Sequence, residues 1–335
     1  MKRTRAINLF MTLIAILWIA GLCEWVARLV DIEQPLMPYD GINFSGDRNN
    51  YLECYDPKVT RPYYLKRGGC ISYRLNGALI RRENEISAVP NQGTFRILGV
   101  GDSFLYGFGV DAKDTFLSLL ESRLNRDSKG LPKYEVLNAG RPGADTAQEV
   151  GMYAQTWSSL KPDLVILGVH LNDIIPFPTS ALIEVHRFYR GKLRERFRSL
   201  DWALNRIETK LDAKDKEARL LKSYTQENKS KFLSAVLRLR QRLNDNGGKL
   251  LVLFFPVFHQ FHNYPFKSIH DDLSSELKGE GIESLDFLPY FLGSDAKSYW
   301  ITPNDQHPNE IANQIFYERL IEYLRKHPEF LSDKN

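Results

Sequence analysis

Three short polar blocks each follow an apolar run of the sequence, and a fourth lies near its carboxyl end. The first block is Gly101, Asp102 and Ser103, directly after the run 95–100. A serine presented there, beside a glycine that permits a tight turn, has the exposure that a nucleophile needs. A serine that caps a following helix would produce the same triplet, so both interpretations stay open.

The next two blocks carry hydrogen-bond donors. The loop 138–143 contains Gly140 and Gly143, whose backbone N–H groups can approach a ligand closely because glycine has no side chain. The third block, 168–173, contains Asn172, which offers a side-chain amide to an oxyanion. Both blocks therefore supply donors that can face a bound ligand.

The fourth block, 304–309, contains His307 just before the last predicted helix. A histidine in this position can serve as a general base when a nearby carboxylate orients its ring. Asp305, two residues before His307, is such a carboxylate.

Alternating strands and helices must position these blocks. The predicted strands are 95–100, 134–140, 163–169, 249–257 and 282–287, and the predicted helices are 114–124, 146–160, 231–243 and 309–326. This alternation predicts a three-layer α/β domain with a mainly parallel sheet. Ligands of such sheets bind outside the carboxyl ends of the strands, which is where three of the blocks lie.

Taken in order, the four blocks resemble the SGNH (GDSL-type) esterase and acyltransferase superfamily, over about residues 94–325. The resemblance is to membrane-anchored bacterial members. It implies a flavodoxin-like α/β/α domain, here assigned to residues 93–330. It also implies ester chemistry that uses no metal and no organic cofactor.

The resemblance implies a role for each block. Ser103 would be the nucleophile and His307 the base. The Ser103 N–H, the Gly143 N–H and the Asn172 side chain would form the oxyanion hole. Gly143 is preferred to Gly140 because it precedes the segment in which the family loop turns into its helix.

One departure from the family pattern concerns the carboxylate. The commonest pattern places Asp three residues before the histidine, where this chain has Asn304. We therefore assign the orienting role to Asp305. A Ser103–His307 dyad, with a backbone carbonyl behind the histidine, is the alternative.

Four further side chains are candidates to line the pocket: Asp102, Tyr106, His170 and His259. Each also has a structural interpretation. Asp102 can shape the turn, Tyr106 can belong to the core, and His170 can be a structural histidine. We predict no metal site, because no carboxylate pattern accompanies the histidines after the fourth strand.

The amino-terminal segment predicts a membrane anchor. Residues 6–27 are long and apolar enough to span a bilayer, and the basic tail 1–5 is expected to stay in the cytoplasm. The rest of the chain would then face the periplasm or the cell surface. The alternatives are a cleaved signal peptide and a lipoprotein site at Cys23, although small residues are missing from the usual cleavage positions.

The charge distribution argues against a nucleic-acid partner. The net charge is +4, and the tail 1–5 supplies three of these charges. A helical insertion is predicted at about 176–230. Within it, residues 187–222 hold twelve Lys or Arg against six Asp or Glu. It can be a solvated excursion, a lid over the site, or a surface that meets anionic head groups or an acidic polymer.

Residues 28–92 carry many turn signals and predict an extracytoplasmic arm, with a short hairpin around 70–82. Cys54 and Cys70 lie sixteen residues apart in this arm. Because disulfides persist outside the cytoplasm, we predict that the two cysteines pair. Two free thiols are the alternative.

The function that these features predict is a serine esterase acting through an acyl-serine intermediate. Its substrate would be an O-acyl ester, most simply O-acetyl, of a carbohydrate or cell-envelope polymer. The alternatives are an O-acyltransferase of an exported polysaccharide, a lysophospholipase, and a non-catalytic polysaccharide-binding module. Predicted partners are the acylated carbohydrate or lipid, the inner membrane and envelope-polysaccharide assembly proteins.

Overall fold

The structure is a computed structural model that describes residues 2–29, 42–46, 50–55, 70–82, 84–174, 199, 217–218, 220–302 and 305–332. The strands are β1 (Ile42–Gly46), β2 (Asn50–Tyr55), β3 (Cys70–Arg74), β4 (Thr94–Val100), β5 (Lys133–Asn138), β6 (Leu164–His170), β7 (Lys249–Phe255), β8 (Ser284–Asp286), β9 (Trp300–Thr302) and β10 (Asp305–Pro308). The α-helices are α1 (Lys2–Leu29), α2 (Ser103–Tyr106), α3 (Phe116–Asp127), α4 (Thr146–Met152), α5 (Gln226–Asn244), α6 (Lys267–Gly279) and α7 (Glu310–Lys326).

The apolar runs of the sequence form a five-stranded parallel sheet in the order β5-β4-β6-β7-β8. Strand β4 lies between β5 and β6, so Ile97 has Val136 on one side and Leu164 on the other. The strand order therefore reverses direction at β4. Ligands of open α/β sheets bind outside the carboxyl ends of the strands at such a point.

Side chains of the central strands alternate between the two faces of the sheet. In β4, Phe95 and Ile97 join one core cluster, and Leu98 and Val100 join another. Helices α3 and α7 cover the first face, while α4, α5 and α6 cover the second. The predicted three-layer α/β/α fold with a mainly parallel sheet is confirmed.

Three local features differ from the sequence prediction. The predicted helix 146–160 is α-helical only as far as Met152, and a π-helical turn and a 3₁₀ turn follow. Helix α6 was not predicted. Nor was the antiparallel ribbon of β9 and β10, because strands of three and four residues are too short to show an alternating pattern.

The predicted arm contains more regular structure than a single hairpin. Strands β1, β2 and β3 form an antiparallel sheet, and the chain continues from β3 into a turn closed by the bridge between Leu75 and Arg81. In the register of β2 and β3, Cys54 is the partner of Cys70. Facing residues of antiparallel strands have Cα atoms about 4.5–5.5 Å apart, which lies within the range that a disulfide bridges.

The disulfide itself stays a prediction. Peptide mapping without reductant is expected to find Cys54 linked to Cys70. Replacing Cys70 with serine should lower the free energy of unfolding by about 3 kcal/mol, the usual value for a loop of this length. Cys23→Ser is the matched control, because Cys23 is a free, exposed cysteine on α1. Two free thiols at 54 and 70 in the folded chain would contradict the pairing.

The chain divides into two compact units. The smaller unit comprises Met1–Met37 and Phe177–Arg219, and the larger unit, Pro38–Pro176 and Leu220–Asn335, contains the five-stranded parallel sheet. In the smaller unit, Phe10–Leu29 of α1 is long and apolar enough to cross a membrane, and 6% of that window is buried. A helix of this length and composition is typical of a membrane anchor or of a signal sequence. The predicted insertion lies largely outside the described residues, and its predicted end overlaps the start of α5.

Candidate active site

The nucleophile candidate Ser103 stands at the sheet's point of reversal. Strand β4 ends at Val100, and Gly101 lets the chain turn, since a Cβ there would lie 2.8 Å from the Gly168 carbonyl oxygen. The Asp102 carboxylate accepts a hydrogen bond from the Phe104 N–H at 2.8 Å and so begins the short helix α2. This turn places Ser103 first in the helix, with 9% of the residue exposed.

The ribbon of β9 and β10 brings the histidine to the serine. His307 Nε2 lies 2.9 Å from Ser103 Oγ, and His307 Nδ1 lies 2.5 Å from the Asp305 carboxylate. The same carboxylate oxygen accepts the His307 backbone N–H at 3.0 Å. With Nδ1–H donating to Asp305, Nε2 can accept the Ser103 proton. The structure therefore brings together Ser103, His307 and Asp305; Asn304 lies outside the described residues.

The end of the ribbon is anchored by Asn309. Its side-chain oxygen accepts the Ala312 N–H at 3.1 Å and caps α7, and its amide donates to the carbonyls of Ser298 and Trp300. The turn from β10 into α7 is thus held from both sides, two residues after His307. This anchoring limits the movement of the imidazole relative to the sheet.

Aromatic rings surround the imidazole of His307. The Phe108 ring lies 5.0 Å from it, and the Phe104 ring lies 5.7 Å from it. The Phe104 ring also stacks on His170 at 4.1 Å. An apolar wall beside the serine and histidine narrows the space left for a substrate group.

Candidate oxyanion donors follow strands β4, β5 and β6. Within the described part of the chain, the backbone N–H groups of Ser103 and Gly143 have no acceptor. Gly143 has a φ of +82°, which favours glycine. The side chain of Asn172 contacts His170 Nδ1, and the His170 side chain also accepts the Asp173 backbone N–H. The backbone N–H groups of Ser103 and Gly143 can therefore donate to a ligand, and the role of the Asn172 amide stays a prediction.

The remaining predicted pocket residues occupy different positions. Asp102 is buried beneath Ser103, with its carboxylate 3.4 Å from Ser103 Oγ. His170 is buried between Phe104 and Asn172. His259 lies half-buried in the loop after β7. Tyr106 is almost fully buried, which favours its core interpretation over a place in the pocket wall.

The Tyr106 ring belongs to the core instead. It is 2% exposed and stacks on Tyr73 at 5.7 Å. A Cβ on Gly140 would lie 2.6 Å from the Tyr106 backbone, so the loop after β5 closes over this residue.

Three buried carboxyl groups lie behind the serine: Asp102, Glu149 and Asp173. Burial raises the pKa of Asp102 to about 6, against the lowering effects of the Phe104 N–H and of His307. Burial, reinforced by Asp102, raises the pKa of both Glu149 and Asp173 well above their ordinary values. Protonated Glu149 and Asp173 avoid placing several negative charges together in a buried cluster.

Glu149 is the member of this cluster that the sequence analysis missed. It is 1% exposed, and within the described residues neither of its carboxyl oxygens has a hydrogen-bond partner. The only signal in the sequence was its spacing on α4, where Thr146, Glu149 and Val150 share the buried face.

Glu149→Gln is expected to change how stability depends on pH. A carboxyl with a raised pKa in the folded state keeps its proton while the unfolded chain loses it, so the folded state becomes less stable as pH rises above about 4.5. Each unit of raised pKa is worth about 1.4 kcal/mol. The variant should therefore unfold several degrees higher than the wild type at pH 7.5, and by a smaller margin at pH 4.5.

Thermal unfolding of the full chain in detergent at several pH values measures this difference. Glu280→Gln is the control, since Glu280 is exposed on the surface. The difference in unfolding temperature between Glu149→Gln and the wild type should be larger at pH 7.5 than at pH 4.5. A smaller difference at pH 7.5 would contradict the neutral state of Glu149.

An α/β/α domain in which a histidine and a carboxylate meet a serine at the carboxyl edge of the parallel sheet has the framework of an ester-bond hydrolase. Comparison with family models makes the assignment specific. Residues 100–315 match the GDSL-like Lipase/Acylhydrolase family, and the chain belongs to this family. The predicted resemblance to the SGNH (GDSL-type) superfamily and the predicted enzyme class, an ester-bond hydrolase, are both confirmed.

Solved structures match the chain at low identity. TesA is 20% identical, with 69% of this chain and 98% of that chain covered and a TM-score of 0.41. The acetyl xylan esterase AlAXEase is 17% identical. The match covers 69% of this chain and 100% of that chain, with a TM-score of 0.45. A GDSL-like lipase from Bacteroides thetaiotaomicron VPI-5482 is 12% identical. The match covers 72% of this chain and 93% of that chain, with a TM-score of 0.41. Among curated proteins, none matches this chain.

Proposed function

We propose that the protein is a serine esterase in which Ser103 attacks the ester carbonyl, His307 takes the serine proton, and Asp305 orients the imidazole. The observation that carries this proposal is the pair of contacts on His307: Nε2 to Ser103 Oγ at 2.9 Å and Nδ1 to Asp305 at 2.5 Å. This is the arrangement of nucleophile, base and orienting group that covalent ester catalysis requires.

The attack places negative charge on the former carbonyl oxygen. The Ser103 N–H, the Gly143 N–H and the Asn172 amide are the donors assigned to stabilise it. One such donor contributes about 2.7–4 kcal/mol to transition-state stabilisation in other serine enzymes. The position of Asn172 supports this role, because it directly follows β6 and its side chain contacts the buried His170.

Collapse of the tetrahedral intermediate expels the alcohol, which receives the proton held by His307. An acyl group then remains on Ser103 Oγ. Water activated by His307 attacks this ester and releases the carboxylic acid, which restores Ser103. A sugar hydroxyl in place of water would transfer the acyl group instead.

The acyl group of the substrate is small, most simply acetyl. Phe108 and Phe104 flank His307 at 5.0 and 5.7 Å between ring centroids, which restricts the space beside the serine. The alcohol part is a carbohydrate or a cell-envelope polymer. In this proposal α1 spans the inner membrane, with the basic tail in the cytoplasm and the catalytic domain outside it, where such polymers occur.

A series of p-nitrophenyl esters tests the size of the acyl group. We expect kcat/KM to be highest for the acetyl ester and to fall at least tenfold for the octanoyl ester. Phe108→Ala should reduce this preference, because it removes the ring next to His307. Acetate release from an O-acetylated glycan tests the alcohol part, with Ser103→Ala as the blank.

A preference for long acyl chains, together with fatty-acid release from lysophospholipid vesicles, would favour a lysophospholipase. Acetyl transfer to an added oligosaccharide without net acetate release would favour an acyltransferase. If the folded chain neither turns over these esters nor reacts with a fluorophosphonate, a non-catalytic binding module is favoured.

A further inference from the structure

A segment outside the family-matched residues packs beside the catalytic residues. The family match begins at residue 100, whereas β3 and the turn after it cover residues 70–82. Ile71 and Tyr73 of β3 form a buried cluster with Tyr106 and Ile301. Because Ile301 lies in β9, this cluster joins the arm to the ribbon that carries the histidine.

The Arg81 side chain forms hydrogen bonds to the end of α2 and to the loop that follows it. Its guanidinium donates to the carbonyl oxygens of Tyr106 at 2.7 Å, Gly107 at 2.8 Å and Val110 at 2.5 Å. The guanidinium also lies over the rings of Tyr73 and Tyr106, at 4.7 and 4.8 Å. Within the described residues no carboxylate forms an ion pair with Arg81. Carbonyl oxygens and aromatic faces therefore compensate its charge, and both hold the loop.

Tyr73 holds the same loop at its middle. Its hydroxyl oxygen accepts the Gly109 N–H at 2.6 Å, and its ring stacks on Phe108 at 5.9 Å. Tyr73 is fully buried, so the loss of this acceptor would leave the Gly109 N–H without a partner in a dry environment.

The held loop in turn contacts the ribbon at two points. Phe108 lies 5.0 Å from the His307 ring, and a Cβ on Gly109 would lie 1.8 Å from Ile301 Cδ1. At Gly109 the φ of +78° and the lack of a side chain allow this close approach. A displacement of the loop would therefore be transmitted to both strands of the ribbon.

We propose that Tyr73 and Arg81 are positioning residues for His307. They hold residues 106–110 against β9 and β10, and this keeps His307 Nε2 within hydrogen-bond reach of Ser103 Oγ. The segment 70–82 is then part of the active site, although it precedes the family-matched domain. This inference rests on the proposed role of His307 as the base.

Two variants of the full chain test the inference: Tyr73→Phe removes a single oxygen, and Arg81→Lys keeps the charge but cannot reach three carbonyls. For p-nitrophenyl acetate we expect kcat to fall about five- to tenfold in Tyr73→Phe and ten- to a hundredfold in Arg81→Lys. KM should change less than twofold, and the midpoint of the pH profile of kcat/KM should shift. Tyr323→Phe is the control, since the hydroxyl that it removes donates to Glu283 in an exposed position.

A purely structural role for these residues predicts a different result. It would lower the unfolding temperature of the variants but leave kcat and the pH profile unchanged well below that temperature. This outcome, in folded Tyr73→Phe and Arg81→Lys, would overturn the inference.

A second measurement does not depend on turnover. Histidine labelled with ¹³C at Cε1 gives one ring signal for each of the seven histidines of the full chain, and His307→Gln identifies the signal of His307. Tyr73→Phe should shift this signal and its titration midpoint, whereas Tyr323→Phe should not. If the His307 signal of Tyr73→Phe is unshifted, the inference is overturned, whether or not the wild type turns over substrate. Absent wild-type turnover with a shifted signal would refute only the proposed function.

Discussion

Replacing Ser103 with alanine is expected to lower kcat/KM for p-nitrophenyl acetate by at least about 10⁴-fold and to abolish labelling by a fluorophosphonate. The serine oxygen displaces fluoride from the probe and forms a covalent phosphonyl ester, so without that oxygen no adduct can form. His307→Ala should lose a similar amount of turnover, because the two residues act as one unit and removing either disables both.

Ser118→Ala is the matched control for the nucleophile. Ser118 lies on α3, where its hydroxyl contacts Thr115 at 3.0 Å. This variant should label and turn over as the wild type does. Labelling that persists in Ser103→Ala would show that another residue is the nucleophile.

Asp305→Asn is expected to lower kcat by about 10³- to 10⁴-fold while the fold is retained. The Asp305 carboxylate accepts the Nδ1–H of His307, which leaves Nε2 without a proton and able to accept from Ser103. An asparagine amide can instead donate to Nδ1. The imidazole would then carry its proton on Nε2 and could not act as the base.

Asp305→Ala separates the two effects of the carboxylate. It removes the orientation without imposing the wrong tautomer, so we expect its loss of kcat to be no larger than that of Asp305→Asn. Asp295→Asn is the control for the change of charge, since Asp295 is exposed and its side chain accepts the backbone N–H of Lys297 at 3.1 Å. Wild-type kcat in Asp305→Asn would favour a Ser103–His307 dyad.

The central elements were predictable because their signals are local. Strands β4, β6 and β7 are buried on both faces, so each is a nearly continuous apolar run in the sequence. The polar blocks follow these runs directly. Their order along the chain, together with the rule for parallel sheets, was sufficient to place Ser103 and Asn172 at one edge.

Other parts of the site carry no local signal. The arrangement of Arg81 depends on the three carbonyls that it reaches, which lie 25 to 29 residues further along the chain. The core packing of Tyr106 depends on Tyr73 and Ile301, which lie far from it in the sequence. Glu149 becomes notable only when burial and two neighbouring carboxyls are seen together.

The sequence by itself determined the family, the parallel three-layer fold and the residue types available for ester chemistry. It could do so because periodicity and motif order are properties of short segments. Only the tertiary structure decided that His307 contacts Ser103, that Glu149 and Asp173 are buried near Asp102, and that the arm packs against the catalytic ribbon. These are contacts between segments far apart in the chain, and their geometry depends on how the layers pack.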